Sequence, residues 1–170
     1  MIQQKKRVPR EKWIAPALWR KILSSMPISC VDMICQNNNG AILFGWRIIK
    51  PYENRWALVG RRMLYRESLL QSAKRITSEY GLRCRRVHLV GVYPVYFPSR
   101  SDVSIALATP NVNEEPKIDG VEFSDFSWFQ EPPRGTGANY RRMVLDWKRK
   151  RSSTAYLRLS EINQSRNRRP

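Results

Sequence analysis

Carboxylates and guanidiniums crowd the stretch from Trp56 to Leu82, WALVGRRMLYRESLLQSAKRITSEYGL. Gly60 leads a basic segment containing Arg61, Arg62 and Arg66, and Glu79 stands just before Gly81. A carboxylate beside a glycine-led basic loop suits a metal ion and phosphates: the carboxylate holds the cation, and guanidiniums fork onto phosphate oxygens. The element that must present Glu79 is a helix. Ser68 followed by Gln71 is a capping-box signature, Leu69, Ala73, Ile76 and Tyr80 recur at helical spacing, and Gly81 sits where a left-handed C-cap belongs. That spacing groups Ser72, Arg75 and Glu79 on a second face.

The chain is strongly basic. Its 31 Lys and Arg against 14 Asp and Glu give a formal net charge of +17, which implies polyanionic company. The positive residues concentrate in the first 21 positions, in the segment from Arg61 to Arg86, and after Tyr140. A few would suffice for a nucleotide, so the surplus points to nucleic acid, an acidic protein or an anionic surface, with a solvated basic face as the bland alternative. At 170 residues and 42% hydrophobic the chain is long enough for one domain with a real core. Cys30, Cys35 and Cys84 lack metal-type spacing and read as reduced, mostly buried thiols. No apolar run approaches a membrane span and no apolar signal region follows the basic N-terminus, so a cytoplasmic setting is expected.

Around the central stretch, residues 11 to 25 read as a short amphipathic helix with Pro16 near its start. Asn39 and Gly40 predict a hairpin turn between strands at Ile28–Cys35 and Ala41–Arg47. Arg83 to Phe97 reads as a central strand, Ser101 to Thr109 and Val121 to Phe129 as two more, and Ala138 to Arg151 as a closing helix. His88, the one histidine, stands among valines and leucines and reads as a packed sheet residue.

The central stretch resembles a Nudix box, G-x5-E-x7-R-E-U-x-E-E-x-G-U with U aliphatic. Gly60 and Gly81 have the family separation, and Ile76, Glu79 and Leu82 fall on their expected positions, while Arg66, Lys74, Arg75 and Ser78 stand where the family has Glu, Arg, Glu and Glu. A second register pairs Arg61 with the box glycine and brings Glu67 and Arg75 onto the first Glu and the Arg. This second register resembles the GDP-mannose mannosyl hydrolase branch of the Nudix superfamily. From Pro27 to Arg149 the chain is similar to that branch, with a proline-led strand carrying Asp32, an aliphatic-glycine-x-Arg strand ending at Arg47, a proline-containing loop and Trp128.

The resemblance implies a Nudix-like α/β/α sandwich with a mixed sheet over residues 27–151, a basic N-terminal segment with an amphipathic helix over 1–26, and a basic C-terminal tail over 152–170. It implies Asp32, Arg47 and Arg62 as substrate-site residues, with Arg47 and Arg62 offsetting leaving-group charge as the diphosphate departs. A magnesium ion, or manganese in its place, would sit between Glu79 and Glu122 with a backbone oxygen from Gly60, and Glu67 would be an auxiliary ligand or base. Glu122 and Phe123 hold the positions of the branch's glutamine ligand and its histidine base, so Glu122, Glu67 or Asp125 would have to activate water. The expected reaction is hydrolysis at a nucleoside diphosphate linkage, most like GDP-mannose to GDP and mannose, with water attacking the sugar carbon. The alternative is a catalytically degenerate domain serving as a nucleic-acid-binding or scaffold subunit of a larger complex. Expected partners are the nucleotide sugar, a nucleic acid or acidic protein on the basic tails, and a second copy in a homodimer.

Overall fold

A computed structural model of the chain describes residues 14–151. The basic tail over 152–170 and most of the N-terminal basic cluster, with Trp13, lie outside the described residues.

The sequence builds two sheets rather than one. The first has four strands: β1 (Ile28–Cys35), β4 (Val59–Arg62), β5 (His88–Phe97) and β6 (Arg100–Thr109), in the order β4-β1-β6-β5. β1 runs parallel to β6 and antiparallel to β4, so the sheet is mixed. The second has β2 (Ile42–Arg47) between β3 (Arg55–Ala57) and β7 (Phe123–Phe129), all antiparallel. A consecutive apolar run instead of strict alternation marks a strand covered on both faces. β1 has that character from Met33 to Cys35, all buried, and Asp32 is the one polar residue in its buried stretch from Val31 to Cys35.

The Asn39-Gly40 turn forms as expected, but its strands do not make a hairpin ladder. Gly40 takes φ +83°, and the Asn37 side-chain oxygen accepts from the N–H groups of Asn39 and Ala41. Beyond one bridge between Gln36 and Ile42 the chains part into separate sheets. β6 takes the place beside β1 that the hairpin reading gave to β2. Turn chemistry fixes the reversal, whereas the partner is chosen by which apolar faces can be covered.

Three helices complete the domain: α1 (Pro16–Ser25), α2 (Leu69–Glu79) and α3 (Ala138–Arg151). The α2 capping box is complete, with Ser68 accepting from the Gln71 N–H and Gln71 reaching back to the Ser68 N–H. Gly81 follows at φ +71°. Ala73 and Ile76 join the core from this helix and Tyr80 from its C-cap, and Met143, Val144 and Trp147 join it from α3. Fully burying Tyr80, Ile76 or Met143 is worth about 2 kcal/mol each. α1 packs more lightly, against β6, and none of its residues is fully buried. His88 packs its ring 5.5 Å from that of Trp147, in keeping with a sheet residue. Among the described residues no helix is long and apolar enough to cross a membrane.

Candidate functional site

The middle of β1 puts a carboxylate where carboxylates are costly. Asp32 is 7% exposed, and Ser104 of β6 donates a hydrogen bond to its Oδ2. Burial pushes its pKa up to about 6, opposed by the Ser104 hydrogen bond and by Arg47. Opposite Asp32 in the ladder is Gly60. A Cβ there would lie 2.1 Å from Asp32 Oδ1 and 3.0 Å from the Val31 carbonyl, so only glycine lets β4 approach this carboxylate. Gly60 to Arg62 form a strand, where the sequence reads as a glycine-led basic loop.

Asp32 lines a cavity of about 250 Å³ walled mainly by strands of the four-stranded sheet. Arg47, from the end of β2, and Arg61 and Arg62, from β4, line it together with Arg100 of β6. Trp19 of α1 closes one side, its ring 4.9 Å below the Arg62 guanidinium. Tyr52, Phe97 and Tyr140 supply an aromatic wall, with Tyr52 centred 5.6 Å from Phe97 and 5.0 Å from Tyr140, and its hydroxyl donating to Asn139 Oδ1 at 2.7 Å.

Glu122 enters from the loop before β7. Asp119 shapes that loop: its Oδ1 accepts from the N–H groups of Val121, Glu122 and Phe123 at 2.9–3.0 Å. Burial alone would raise the Asp119 pKa, but these three bonds and Arg61 together lower it. Glu122 is 7% exposed, and both its oxygens are occupied, Oε1 by Arg47 and Oε2 by Arg61.

The three groups expected to hold magnesium are therefore brought together, but around a guanidinium. Arg61 NH1 donates to the Gly60 carbonyl at 3.0 Å and to Glu122 Oε2, and its Nε lies 2.9 Å from Glu79 Oε2. NH2 donates to the Tyr80 hydroxyl at 2.6 Å. Burial pulls the Arg61 pKa down, yet Glu122, Tyr80 and Glu79 outweigh it and leave it raised, so the charge is permanent. The other carboxylate oxygens are held as well, Glu122 Oε1 by Arg47 and Glu79 Oε1 by Arg75 at 3.2 Å. A divalent cation would meet a donor set already neutralised by three guanidiniums, so these residues as arranged do not fit magnesium or manganese. Among the described residues no cluster of three or more His, Cys, Asp or Glu could hold a metal ion.

Glu67 lies elsewhere. Arg75 grips both its oxygens, at 2.7 and 2.9 Å, and the Leu64 N–H donates to Oε2 at 2.9 Å. Burial would raise its pKa, but Arg75 and the Leu64 N–H bring it below the usual range. It is not among the cavity-lining residues, and it works as a latch: Arg75 also donates to the Arg62 carbonyl at 3.0 Å, tying α2 to β4. Asp125 is exposed on β7 and caps the Phe126 N–H, away from the cavity. Phe123 is fully buried against Tyr80 and Phe126. Asp32, which lines the cavity, has a pKa raised to about 6 and so can exchange a proton near neutrality.

Sequence reasoning missed Arg100, Asp102 and Ser104 as lining residues. A period-2 signal was present: Asp102 and Ser104 are two apart on β6 and so share a face, paired with Ile28 and Cys30 of β1. It was hidden because the pairing of β6 with β1 could not be read from either strand alone.

Solved structures that share this fold include the following three. The MutT NUDIX hydrolase from Burkholderia pseudomallei is similar with a TM-score of 0.66 and 18% identity, over 72% of this chain and 98% of that one. The MutT protein from Methanosarcina mazei Go1 gives 0.66 and 19%, over 76% and 99%. The NUDIX domain of Shewanella oneidensis NrtR, solved with ADP ribose, gives 0.64 and 14%, over 81% and 99%. No curated protein matches the chain. The model of the NUDIX domain matches residues 26–133, well over half of the sequence. The box helix, the mixed sheet and that match agree: the chain belongs to the NUDIX domain family, whose hydrolases generally use divalent metals such as magnesium.

Proposed function

We propose that the chain is a Nudix-type hydrolase acting at a nucleoside diphosphate linkage, most like the cleavage of GDP-mannose to GDP and mannose. One observation carries the reading: Arg47, Arg61, Arg62 and Arg100 line the same cavity as the buried Asp32 carboxyl, which titrates near pH 6, while the lining carboxylates Glu122 and Asp102 pair with Arg47, Arg61 and Arg100 and hold them in place. Arginine suits a diphosphate because it never loses its proton and its fork matches two oxygens. The aromatic wall of Tyr52 and Phe97 suits the flat face of a base.

In the proposed reaction Asp32, ionised at neutral pH, takes a proton from water as the water oxygen bonds to the sugar carbon. The bond from that carbon to the diphosphate oxygen breaks, and its electron pair leaves with the diphosphate. In this reading Arg47 and Arg62, which line the cavity, offset the charge that develops there, and Arg61 adds a fixed positive charge. No step is assigned to Glu67, Glu79 or Glu122, whose oxygens are held by arginines. A cytoplasmic setting belongs to the same proposal, since all three cysteines are free thiols.

The test is release of free sugar and nucleoside diphosphate from GDP-mannose and related nucleotide sugars by wild type and Asp32→Asn. Turnover that rises with pH through about 6, and falls by about a hundredfold or more in the variant, is the expected result. Arg61 among the acids and Phe123 in place of a base favour a second reading, a domain that binds without turnover as a nucleic-acid-binding or scaffold subunit. Absence of turnover by folded protein would contradict the hydrolase and select that reading.

A further inference from the structure

We propose that Arg61 is the resident cation of this site: its side chain takes the place of a divalent metal among the Gly60 carbonyl, Glu79 and Glu122, and its removal uncovers a metal site. One guanidinium satisfies that donor set completely. All three of its nitrogens are used: NH1 on Gly60 and Glu122, Nε on Glu79, and NH2 on the Tyr80 hydroxyl. The Asp119 carboxylate stands a further step out, 4.0 Å from NH2. Guanidinium has five N–H donors and no acceptor, so it can answer several oxygens at once as a metal would, though with one charge rather than two.

Position in the chain explains why Arg61 can do this. It follows Gly60 on β4, so its side chain starts beside the carbonyl that would serve as backbone ligand. α2 brings Glu79 and Tyr80 from one side, and the Asp119-shaped loop brings Glu122 from the other. Arg47 and Arg75 complete the balance by holding the outer oxygens, Glu122 Oε1 and Glu79 Oε1. The remaining oxygens, Glu79 Oε2 and Glu122 Oε2, are held by Arg61, with the Tyr80 hydroxyl a longer donor to the second at 3.5 Å. Truncating Arg61 would leave those two atoms and the Gly60 carbonyl pointing into one space. Two carboxylate oxygens and a carbonyl, completed by water, form a hard-oxygen set of the kind magnesium and manganese accept.

This inference concerns the ion and not the substrate, so it stands or falls independently of the hydrolase reading. The experiment is titration of the full chain with manganese, followed by loss of the free-ion paramagnetic resonance signal and by calorimetry, without nucleotide. Wild type and Arg61→Lys, which keeps the charge, are expected to bind no manganese below millimolar concentration at this site. Arg61→Ala should take up one equivalent at least about tenfold more tightly than wild type, and Arg61→Ala with Glu79→Gln should lose it. Sub-millimolar binding by wild type that Glu79→Gln abolishes would overturn the proposal, and that arm needs no variant of Arg61 to fold. A folded Arg61→Ala with no gain over wild type would overturn it as well.

Discussion

Two buried carboxylates on either side of β4 are treated in opposite ways. Glu67, on the α2 side, has both oxygens clasped by Arg75 and a backbone N–H, and its pKa is lowered. Asp32, on the β1 side, has one close hydroxyl partner, and burial raises its pKa to about 6. The first arrangement spends a carboxylate on holding a helix against a strand. The second leaves one poised to gain or lose a proton in a cavity lined by arginines. Two acids that look alike in sequence thus divide into a structural latch and a candidate for chemistry, and what divides them is which neighbour carries a charge.

The largest expected effect is at the latch. Arg75→Met should destabilise the fold by about 3 kcal/mol in urea unfolding, because Glu67, whose side chain is 1% exposed, would keep its burial and lose its counter-charge. A change within experimental error would mean that Glu67 protonates or finds water, and the contrast with Asp32 would collapse.

At Asp32 the sign reverses. Its folded-state pKa lies above its ordinary 3.8, so the stability it contributes is present below pH 4 and is lost as pH rises through about 6. A shift of that size corresponds to about 3 kcal/mol. Asp32→Asn should therefore be the more stable protein at pH 7, by about 2 kcal/mol, and the difference from wild type should shrink towards pH 4. Glu67 runs the other way, since its contribution is present above its ordinary 4.5 and is lost as pH falls through its lowered folded value. Unfolding curves of wild type and Asp32→Asn between pH 4 and pH 8, overlaid, would sharpen the comparison or dissolve it.

The smallest effect sits at the start of α2. Ser68→Ala removes the acceptor for the Gln71 N–H and should cost about 1 kcal/mol, read as a shift in the denaturation midpoint with unchanged slope. It should leave the Asp32 titration where it is.

Local features of the fold were legible because they depend on local chemistry. The capping box, the Gly81 stop, the Asn39-Gly40 turn and the closing helix each follow from residues a few positions apart, and each is found. The separation of β1 and β2 into different sheets was not legible, since it depends on β6 reaching β1 from about seventy residues away. In the site, the grouping of Gly60, Glu79 and Glu122 was anticipated, but its occupant was not. Arg61 was read as a phosphate ligand or as a displaced box glycine. Only the direction of its side chain, which sequence does not carry, reveals that it faces the acids.

In the proposed function the cavity takes a nucleoside diphosphate through its own arginines, without a metal ion. Calorimetric titration of GDP into the full chain, with chelator present and again with magnesium, tests it most directly. Saturable binding in chelator, little changed by magnesium and weakened about tenfold or more by Arg47→Ala, is the expected result. Binding that appears only when magnesium is added, or no binding under either condition, would contradict it.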